Sequence, residues 1–223
     1  MKQVIQIRCK NNKKTQNVAI GSTLSDVFSQ FNIDMPFGPI CARVNNKVEG
    51  MHFRVYHSKD VEFLDMHSAS ASRNYTRTLF FVLCKAVHDI YSKSHVIIDI
   101  PVSNGYYVNL QLGHVDNIRK RMQKIINEHM PVTRHEVPSE QAIKMFRDRG
   151  DEAKVKLLES SGRLYTTYYQ IDDYVDFYYG SLLTNTRKLY LFGLEKYYDG
   201  LLLRIPSMKD PSVLPEMTRQ DKM

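Results

Sequence analysis

Residues 66–91, MHSASASRNYTRTLFFVLCKAVHDIY, contain the clearest secondary-structure signal in the chain. From residue 72 onward, apolar side chains recur at steps of three and four, which predicts one long amphipathic helix over residues 72–91. We expect Ser70 or Ser72 to cap its N-terminus. His67 stands just before the helix and is followed by small residues. Two interpretations stay open for it: half of a catalytic or metal site, or an ordinary residue at a helix entrance.

The residues before this helix alternate short strand patterns with one helix pattern. Period-two alternation, polar loops and an Asn-Asn turn indicate strands, and a spaced apolar face indicates the helix. The order strand, strand, helix, strand, strand, strand within about 60 residues is typical of a ubiquitin-like β-grasp domain, for which we place the boundary after residue 64. The predicted strands are residues 3–9, 17–20, 40–44, 47–50 and 60–64, and the helix is 24–31, capped by Ser22 or Thr23.

The residues after the helix predict an α+β domain over 65–206, with helices packed on an antiparallel sheet. Ser103-Asn104-Gly105 is typical of a hairpin turn. The last stretch, 207–223, has three prolines and no apolar periodicity, so we expect a linker there. The other predicted helices are residues 115–131 and a shorter one from Pro138, and the other predicted strands lie within 95–112, 163–171, 174–179, 187–198 and 200–205.

Composition limits the class of protein. The chain has 223 residues, 43% of them hydrophobic and 25% charged, which is typical of a soluble globular protein, and it has no apolar run of membrane-spanning length. The N-terminus alternates polar and apolar residues, so we expect no signal peptide. Three widely spaced cysteines favour reduced thiols and a cytoplasmic location. A net charge of +7 favours an anionic partner such as RNA or a nucleotide, or a basic surface that faces another domain of the same polypeptide.

Four segments in order resemble the N-terminal half of threonyl-tRNA synthetases, which combines a β-grasp domain of the TGS type with an editing domain shared with alanyl-tRNA synthetases. The resemblance extends from residue 1 to about residue 206. It implies a TGS domain over 1–64 and an editing-like domain over 65–206. The segments are CARVNNKVEG at 41–50, PVSNGYYVNL at 101–110, MPVTRHEVPSEQAIKMFRDRGDEAKVKLLES at 130–160 and DDYVDFYYGSLLTNTRKLYLFGLEKYYDG at 172–200.

The editing family places a His-x-x-x-His pair and a Cys-x-x-x-His pair in one pocket, where they bind zinc or position the hydrolytic water. His67 matches the first histidine, but Ala71, Tyr178 and Leu182 stand at the other three positions. Because a hydrolytic zinc site needs about three protein ligands, we expect neither metal nor catalysis here. His88 and His95 flank the helix C-terminus, where a basic residue suits the macrodipole. The resemblance implies a vestigial pocket formed by His67, Ala71, Asn104, Tyr106, Asp176, Tyr178 and Leu182.

The chain also resembles bacterial uridine kinase-like proteins, which carry such a region ahead of a P-loop kinase. The phrases SNGYY at 103–107, YTRTLFFVLCKAVHDIY at 75–91 and PEMTRQDKM at 215–223 support this resemblance. The chain contains no G-x-x-x-x-G-K-[ST] motif, so ATP and magnesium are expected only for a missing C-terminal kinase domain. This resemblance implies a non-catalytic accessory region that has the kinase domain as its partner in cis.

Other partners follow from the surface. Arg119, Lys120, Arg121 and Lys124 on the helix at 115–131 form either a patch for an anionic ligand or a solvated helix face. The accessory region is expected to bind nucleotide or tRNA through the vestigial pocket, with no membrane partner. Two alternatives stay open: a tRNA-editing deacylase domain of a threonyl-tRNA synthetase-like protein, and a protein-interaction module.

Overall fold

The computed structural model describes residues 3–91, 96–110 and 115–218, which form a mixed α+β structure. No helix within these ranges is long and apolar enough to cross a membrane. The elements in chain order are β1 Val4–Cys9, β2 Thr15–Ala19, α1 Leu24–Phe31, β3 Cys41–Val44, β4 Lys47–Gly50, β5 Lys59–Leu64, α2 Ala69–Ile90, β6 Ile97–Val102, β7 Gly105–Asn109, α3 Val115–Asn127, β8 Thr133–Pro138, α4 Ser139–Asp148, α5 Glu152–Ser161, β9 Tyr165–Ile171, β10 Tyr174–Phe177, a 3₁₀ helix Thr186–Lys188, β11 Gly193–Tyr197 and β12 Gly200–Arg204.

The first five strands form one mixed sheet in the order β2-β1-β5-β3-β4, in which β1 and β5 are parallel. Helix α1 contributes Leu24, Val27 and Phe31 to the same hydrophobic cluster as the sheet. Thr23 and Asp26 form a capping box at the start of α1, as its sequence predicts. The predicted turn at 45–46 is confirmed, because both asparagines adopt the left-handed conformation that such a hairpin turn requires.

Helix α2 lies where the sequence predicts it but begins earlier, at Ala69. Ser68 occupies the N-cap position with an extended backbone and no side-chain hydrogen bond. The predicted caps were therefore wrong: Ser70 and Ser72 lie inside the first turns of the helix. The apolar face is confirmed for Tyr75, Leu79, Val82, Leu83, Ala86 and Val87, which are fully buried, but Ile90, its last predicted member, is exposed at the end of the helix.

The strands after α2 form two antiparallel sheets, whereas one was predicted. Strands β10-β9-β8 make a three-stranded sheet and β11-β12-β7-β6 make a four-stranded sheet. Helices α4 and α5 pack on the first of these, through a separate small cluster. Helices α2 and α3 pack together, and the predicted inner face of α3 is confirmed because Ile118, Met122, Ile125 and Ile126 are buried. The pattern of apolar residues in the sequence could not show that these strands divide between two sheets.

Residues 187–198 were predicted as a single strand, but the strand β11 begins only at Gly193. A 3₁₀ helix precedes it, started by Asn185, whose side chain accepts a hydrogen bond from the backbone amide of Arg187. The hydroxyl of Tyr75 then binds the backbone of Leu191, accepting from its amide at 3.0 Å and donating to its carbonyl at 2.7 Å. These bonds to α2 replace the strand ladder, which explains the shorter strand.

Residues 207–218 have no helix or strand and lie against the four-stranded sheet. The amide of Thr218 donates to Ser103 Oγ at 2.7 Å, and the Tyr197 hydroxyl donates to the Thr218 carbonyl at 3.3 Å. The linker role and the domain boundaries stay predictions. Residues 219–223, as well as His95 and the strand ends predicted at residues 95 and 111–112, lie outside the described residues.

Candidate functional site

His67 lies exposed at the entrance of α2. Its Nδ1 is 3.1 Å from a carboxylate oxygen of Asp65, which also accepts a hydrogen bond from the His67 backbone amide. The imidazole ring lies against Phe37, with 5.7 Å between the ring centroids. None of the hydrogen bonds or ring contacts that His67 makes within the described ranges involves the other positions of the vestigial pocket. The structure therefore places this histidine at the entrance of α2.

Two positions of the vestigial pocket belong to the hydrophobic core. Ala71 and Leu182 are both fully buried, in the same cluster as the apolar face of α2. The neighbouring Leu183 amide donates to Thr78 Oγ1 at 2.9 Å, which fixes the loop after β10 to the helix. Because alanine and leucine carry no donor or acceptor, these two positions contribute packing only.

Tyr178 replaces the family's cysteine and packs its ring 5.7 Å from that of Phe81. Burial, reinforced by the nearby Cys84 and Asp176, raises the pKa of the Tyr178 phenol well above its usual value. Burial likewise raises the pKa of the Cys84 thiol to about 12. Both groups therefore stay protonated at neutral pH, and neither supplies a nucleophilic anion or a thiolate ligand.

Asp176 takes part in a polar cluster that we call the Lys154 centre, made of Asp151, Lys154, Tyr174 and Asp176. Lys154 Nζ lies 2.8 Å from one oxygen of Asp176 and 2.8 Å from one of Asp151. The buried Asp176 also accepts hydrogen bonds from the Tyr174 hydroxyl at 3.3 Å and from the Phe177 amide at 2.6 Å.

Charge pairing keeps the Lys154 centre ionised. Burial lowers the pKa of the Lys154 ammonium, but Asp176 and Asp151 outweigh it and raise the pKa above its usual value. Burial also raises the pKa of the Tyr174 phenol. At neutral pH the lysine is therefore a cation and the tyrosine is neutral. A general base needs a pKa near the working pH, and neither group has one.

Arg77 lies beside the loop after β10. Gly180 adopts a φ of +111°, and a Cβ built there would lie 2.8 Å from Arg77 Cζ. Arg77 Nη1 donates to Asn74 Oδ1 at 2.8 Å, and Asn74 in turn donates to Ser181 Oγ at 2.9 Å. Burial, then the neighbouring Arg73, lowers the pKa of the guanidinium. Arg77 forms no salt bridge within the described ranges.

The two remaining pocket positions lie at and just after the turn between β6 and β7. Ser103 and Asn104 both have positive φ, which confirms the predicted hairpin turn. The Asn104 side chain donates to the Glu216 carbonyl at 3.4 Å, so it contacts the C-terminal stretch. Tyr106 instead packs edge-on against Phe80 of α2 at 4.9 Å. Of these two residues, the structure ties only Tyr106 to α2, the helix that carries Arg77.

The basic residues of α3 are mostly paired. Arg121 binds Asp89 at 2.6 Å, Arg119 binds Asp116 at 2.7 Å and Lys124 lies 3.9 Å from Glu128. These carboxylates cancel much of the positive charge that an anionic ligand would meet. The role of this patch in binding stays a prediction, and the solvated helix face accounts for the contacts.

Two clefts lie elsewhere on the surface. The first, of about 550 Å³, is on the first sheet, and the second, of about 610 Å³, lies where the loop before β3 meets the 3₁₀ helix. We call the second the Lys188 cleft. The first is lined by Gln6, Arg8, Lys10, Thr15, Asn45, Asn46, Ser58, Lys59 and Asp60. The Lys188 cleft is lined by Pro36, Phe37, Gly38, His129, Arg187, Lys188 and Tyr190.

Sequence reasoning did not single out Arg77, Lys154 or Lys188. A lysine three residues after Asp151 is an ordinary pattern at the start of a helix, and nothing in the sequence shows that Asp176 joins it. Arg77 has Arg73 and Asn74 as neighbours one turn earlier on α2, so its position in the sequence looks like an ordinary polar stretch of a helix.

The described residues contain no group of three or more His, Cys, Asp or Glu side chains arranged to hold a metal ion. At the positions that the resemblance aligns with the family's zinc ligands, Ala71 and Leu182 carry no side-chain donor and Tyr178 is a neutral phenol, a donor set that does not fit zinc.

No protein-family model matches the chain. The chain is 25% identical over 194 residues to the threonine–tRNA ligase of Clostridium tetani, covering 83% of this chain and 30% of that protein. It is 26% identical over 181 residues to the enzyme of the same name from Syntrophotalea carbinolica, covering 78% and 28%. It is 27% identical over 176 residues to the threonine–tRNA ligase of Natranaerobius thermophilus, covering 76% of this chain and 28% of that protein.

The chain thus spans about 30% of the length of these curated relatives. Together with the α+β architecture, the matches support a threonyl-tRNA synthetase-like region with an editing-like part. They give no support to a fusion with a uridine kinase. Over most of its length, this chain is similar to a segment of threonine–tRNA ligases.

Proposed function

We propose that this chain is a threonyl-tRNA synthetase-like region, with a TGS-type β-grasp part and an editing-type part, that binds the acceptor end of tRNA without hydrolysing an aminoacyl ester. The mixed sheet with parallel β1 and β5 and the packed helix α1 support the β-grasp assignment. The similarity to threonine–tRNA ligases supports tRNA as the partner. The net charge of +7 suits a polyanion.

The observation on which the non-hydrolytic role rests is the burial of Ala71 and Leu182 in the core. These positions hold histidines in the editing family, and here they are closed to any ligand. Tyr178 is a neutral phenol packed on Phe81, and Lys154 is a paired cation. Tyr178 and Lys154 cannot activate water at neutral pH, because the pKa of each is shifted away from neutrality. Ala71 and Leu182 carry no titratable group.

The binding role rests on Arg77. Its guanidinium is half-buried beside Gly180, oriented by Asn74 and held in no salt bridge within the described ranges. Such a group suits a phosphate oxygen, with which it forms charge-assisted hydrogen bonds. Tyr106 on strand β7 packs against Phe80 of α2. It therefore places an aromatic ring close to the helix that carries Arg77.

The test measures hydrolysis and binding on the same protein. Seryl-tRNA incubated with the chain should lose its ester no faster than in buffer, and filter binding should detect a tRNA complex. Arg77→Met should weaken that complex roughly tenfold, since a hydrogen bond to a charged group contributes about 1.5 to 3 kcal/mol. The matched control is Arg149→Met, an exposed arginine at the end of α4, which should change the affinity less than twofold.

Two results would count against the proposal. Ester hydrolysis that disappears in His67→Ala would show that the chain is a deacylase. Absence of any tRNA complex, or an equal loss in both arginine variants, would show that Arg77 does not form the site. Zinc analysis of the active preparation would then tell whether a metal takes part.

A tRNA-editing deacylase domain is the second candidate, and the similarity to threonine–tRNA ligases is the observation that favours it. It would need a catalytic group other than those described above. The accessory role beside a kinase in cis, with ATP and magnesium bound by that kinase, stays a prediction, as does the protein-interaction module. Reading the gene beyond residue 223 for a P-loop motif tests the kinase prediction directly.

A further inference from the structure

The Lys188 cleft has an aromatic wall. The rings of Phe37 and Tyr190 lie 5.5 Å apart at a tilt of 33°, and Tyr75 meets Tyr190 edge-on at 5.5 Å. The hydroxyl of Tyr75 is bonded to Leu191, so the segment that carries Tyr190 is fixed to α2. Tyr190 is nevertheless 40% exposed. Two aromatic side chains thus line an open cleft on a rigid support.

The Lys188 cleft is also lined by two cations, Lys188 and Arg187. Lys188 Nζ donates to the Pro39 carbonyl at 3.1 Å, and within the described residues neither Lys188 nor Arg187 forms a salt bridge. The lining also includes His129 and contains no carboxylate. Burial, then the charge of Arg187, lowers the pKa of the Lys188 ammonium to about 8. The structure therefore holds the Lys188 ammonium in a partly buried position, where it loses hydration, next to the exposed Arg187.

We propose that the Lys188 cleft binds a nucleoside monophosphate unit, with the base on Tyr190 and Phe37 and the phosphate on Lys188 and Arg187. Bases stack on aromatic side chains without sequence preference. A phosphate would supply the charge that Lys188 and Arg187 lack in the described structure. The volume of about 610 Å³ lies within the usual range for small-ligand sites.

This site is separate from the Lys154 centre. Tyr75 borders the wall of the cleft, whereas Cys84 of the same helix adjoins Tyr174 and Tyr178. Nine residues of α-helix place the two positions about 13 Å apart along the axis. Arg77, on which the proposed tRNA site rests, does not line the Lys188 cleft, and residues two apart in a helix, such as Tyr75 and Arg77, do not share a face. The inference therefore goes beyond the proposed function. The unit bound could be a free mononucleotide or an unpaired nucleotide of an RNA, because both present the same base and phosphate.

The experiment measures equilibrium binding to the full chain by dialysis with three small probes and one RNA: adenosine 5′-monophosphate, adenosine, inorganic phosphate and an unstructured oligoadenylate hexamer. We expect the monophosphate to bind at least tenfold more tightly than adenosine or phosphate alone. Tyr190→Leu should weaken binding roughly tenfold through lost stacking. Lys188→Met and Arg187→Met should each weaken it several-fold through lost phosphate contacts. Arg187 is exposed, so its variant tests the site even if the Lys188 variant folds poorly.

The control variant is Lys156→Met, an exposed lysine on α5, which should bind the monophosphate like the wild type. A hexamer that binds more than tenfold tighter than the monophosphate, and is displaced by it, identifies RNA as the source; equal affinities identify the free nucleotide. Binding of phosphate as tight as the monophosphate, no binding at millimolar concentration, or indifference to Tyr190→Leu and Arg187→Met would overturn the inference.

Discussion

Lys154 shows how one side chain joins distant parts of this sequence. Lys154 lies in the first turn of α5, where its Nζ pairs with the N-cap residue Asp151. The same Nζ lies 2.8 Å from an oxygen of Asp176 on β10. Asp176 is 7% exposed, so its charge has little contact with solvent. A buried carboxylate needs a paired cation or hydrogen bonds, and Lys154 is the cation that it has among the described residues.

Replacing Lys154 should therefore destabilise the fold. Lys154→Met leaves Asp176 buried with only the Tyr174 hydroxyl and the Phe177 amide as donors, and we expect a loss of about 3 kcal/mol in the free energy of unfolding at pH 7. Urea unfolding measures it. Adding Asp176→Asn to the Lys154→Met variant should restore part of the loss, because the unpaired charge is gone. A double variant no more stable than the single one would contradict this explanation.

At the scale of elements, α2 is held to its neighbours by charges as well as by apolar packing. Lys85 is buried on α2 and donates to Asp89 at 2.8 Å and to Asp173, in the β9–β10 turn, at 2.9 Å. Asp89 also binds Arg121 of α3 at 2.6 Å. Asp89 therefore links α2 to α3. The Lys85 ammonium, which binds both Asp89 and Asp173, links α2 to the three-stranded sheet.

Removing Asp89 should loosen both links. Asp89→Ala takes one carboxylate from the buried Lys85 and the partner from Arg121, so we expect a loss of about 3 kcal/mol in the free energy of unfolding. The matched control is Asp116→Ala, which removes an exposed carboxylate paired with Arg119 and should cost less than about 1 kcal/mol. Thermal and urea unfolding of the two variants compare them. Equal losses would show that the Asp89 network adds nothing beyond a surface pair.

At the scale of the whole molecule, the segment before α2 and the domain after it share one interface. Ile40, Cys41 and Leu64 belong to the same core cluster as α2. The His52 ring lies 2.8 Å from the Val132 carbonyl, and a Cβ on Gly50 would meet Ser181 Cβ at 2.6 Å. The Lys188 cleft forms along this interface, so burial of the Lys188 ammonium there affects the stability of the whole chain.

The buried Lys188 makes stability depend on pH. Its pKa is about 8 in the folded chain and 10.5 when unfolded, so between these values the unfolded chain binds more protons and stability rises with pH. Lys188→Met should therefore be more stable than the wild type at pH 7, by up to about 3 kcal/mol, and the difference should shrink towards pH 10. Urea unfolding at both pH values measures it. Lys156→Met should show no such trend, and a Lys188→Met variant destabilised equally at both pH values would refute the assignment.

Much of the local structure could be predicted from the sequence. The apolar faces of α1, α2 and α3 and the turns at Asn45-Asn46 and Ser103-Asn104 all follow from residues close in sequence. The predicted strand at 187–198 failed because Tyr75, 116 residues from Leu191, binds the backbone there. The sequence identified the altered positions of the vestigial pocket. It did not single out Arg77 or Lys154, which the structure adds to the candidate site.

The sequence by itself determined the apolar faces of α1, α2 and α3 and the hairpin turns, because periodicity and turn chemistry act locally. Only the tertiary structure decided that the later strands form two sheets, that Lys154 pairs with Asp176, and that Phe37, Lys188 and Tyr190 enclose one cleft. The physical reason is that these contacts join residues far apart in the chain. Their energies come from burial and charge pairing, which exist only once the elements have packed.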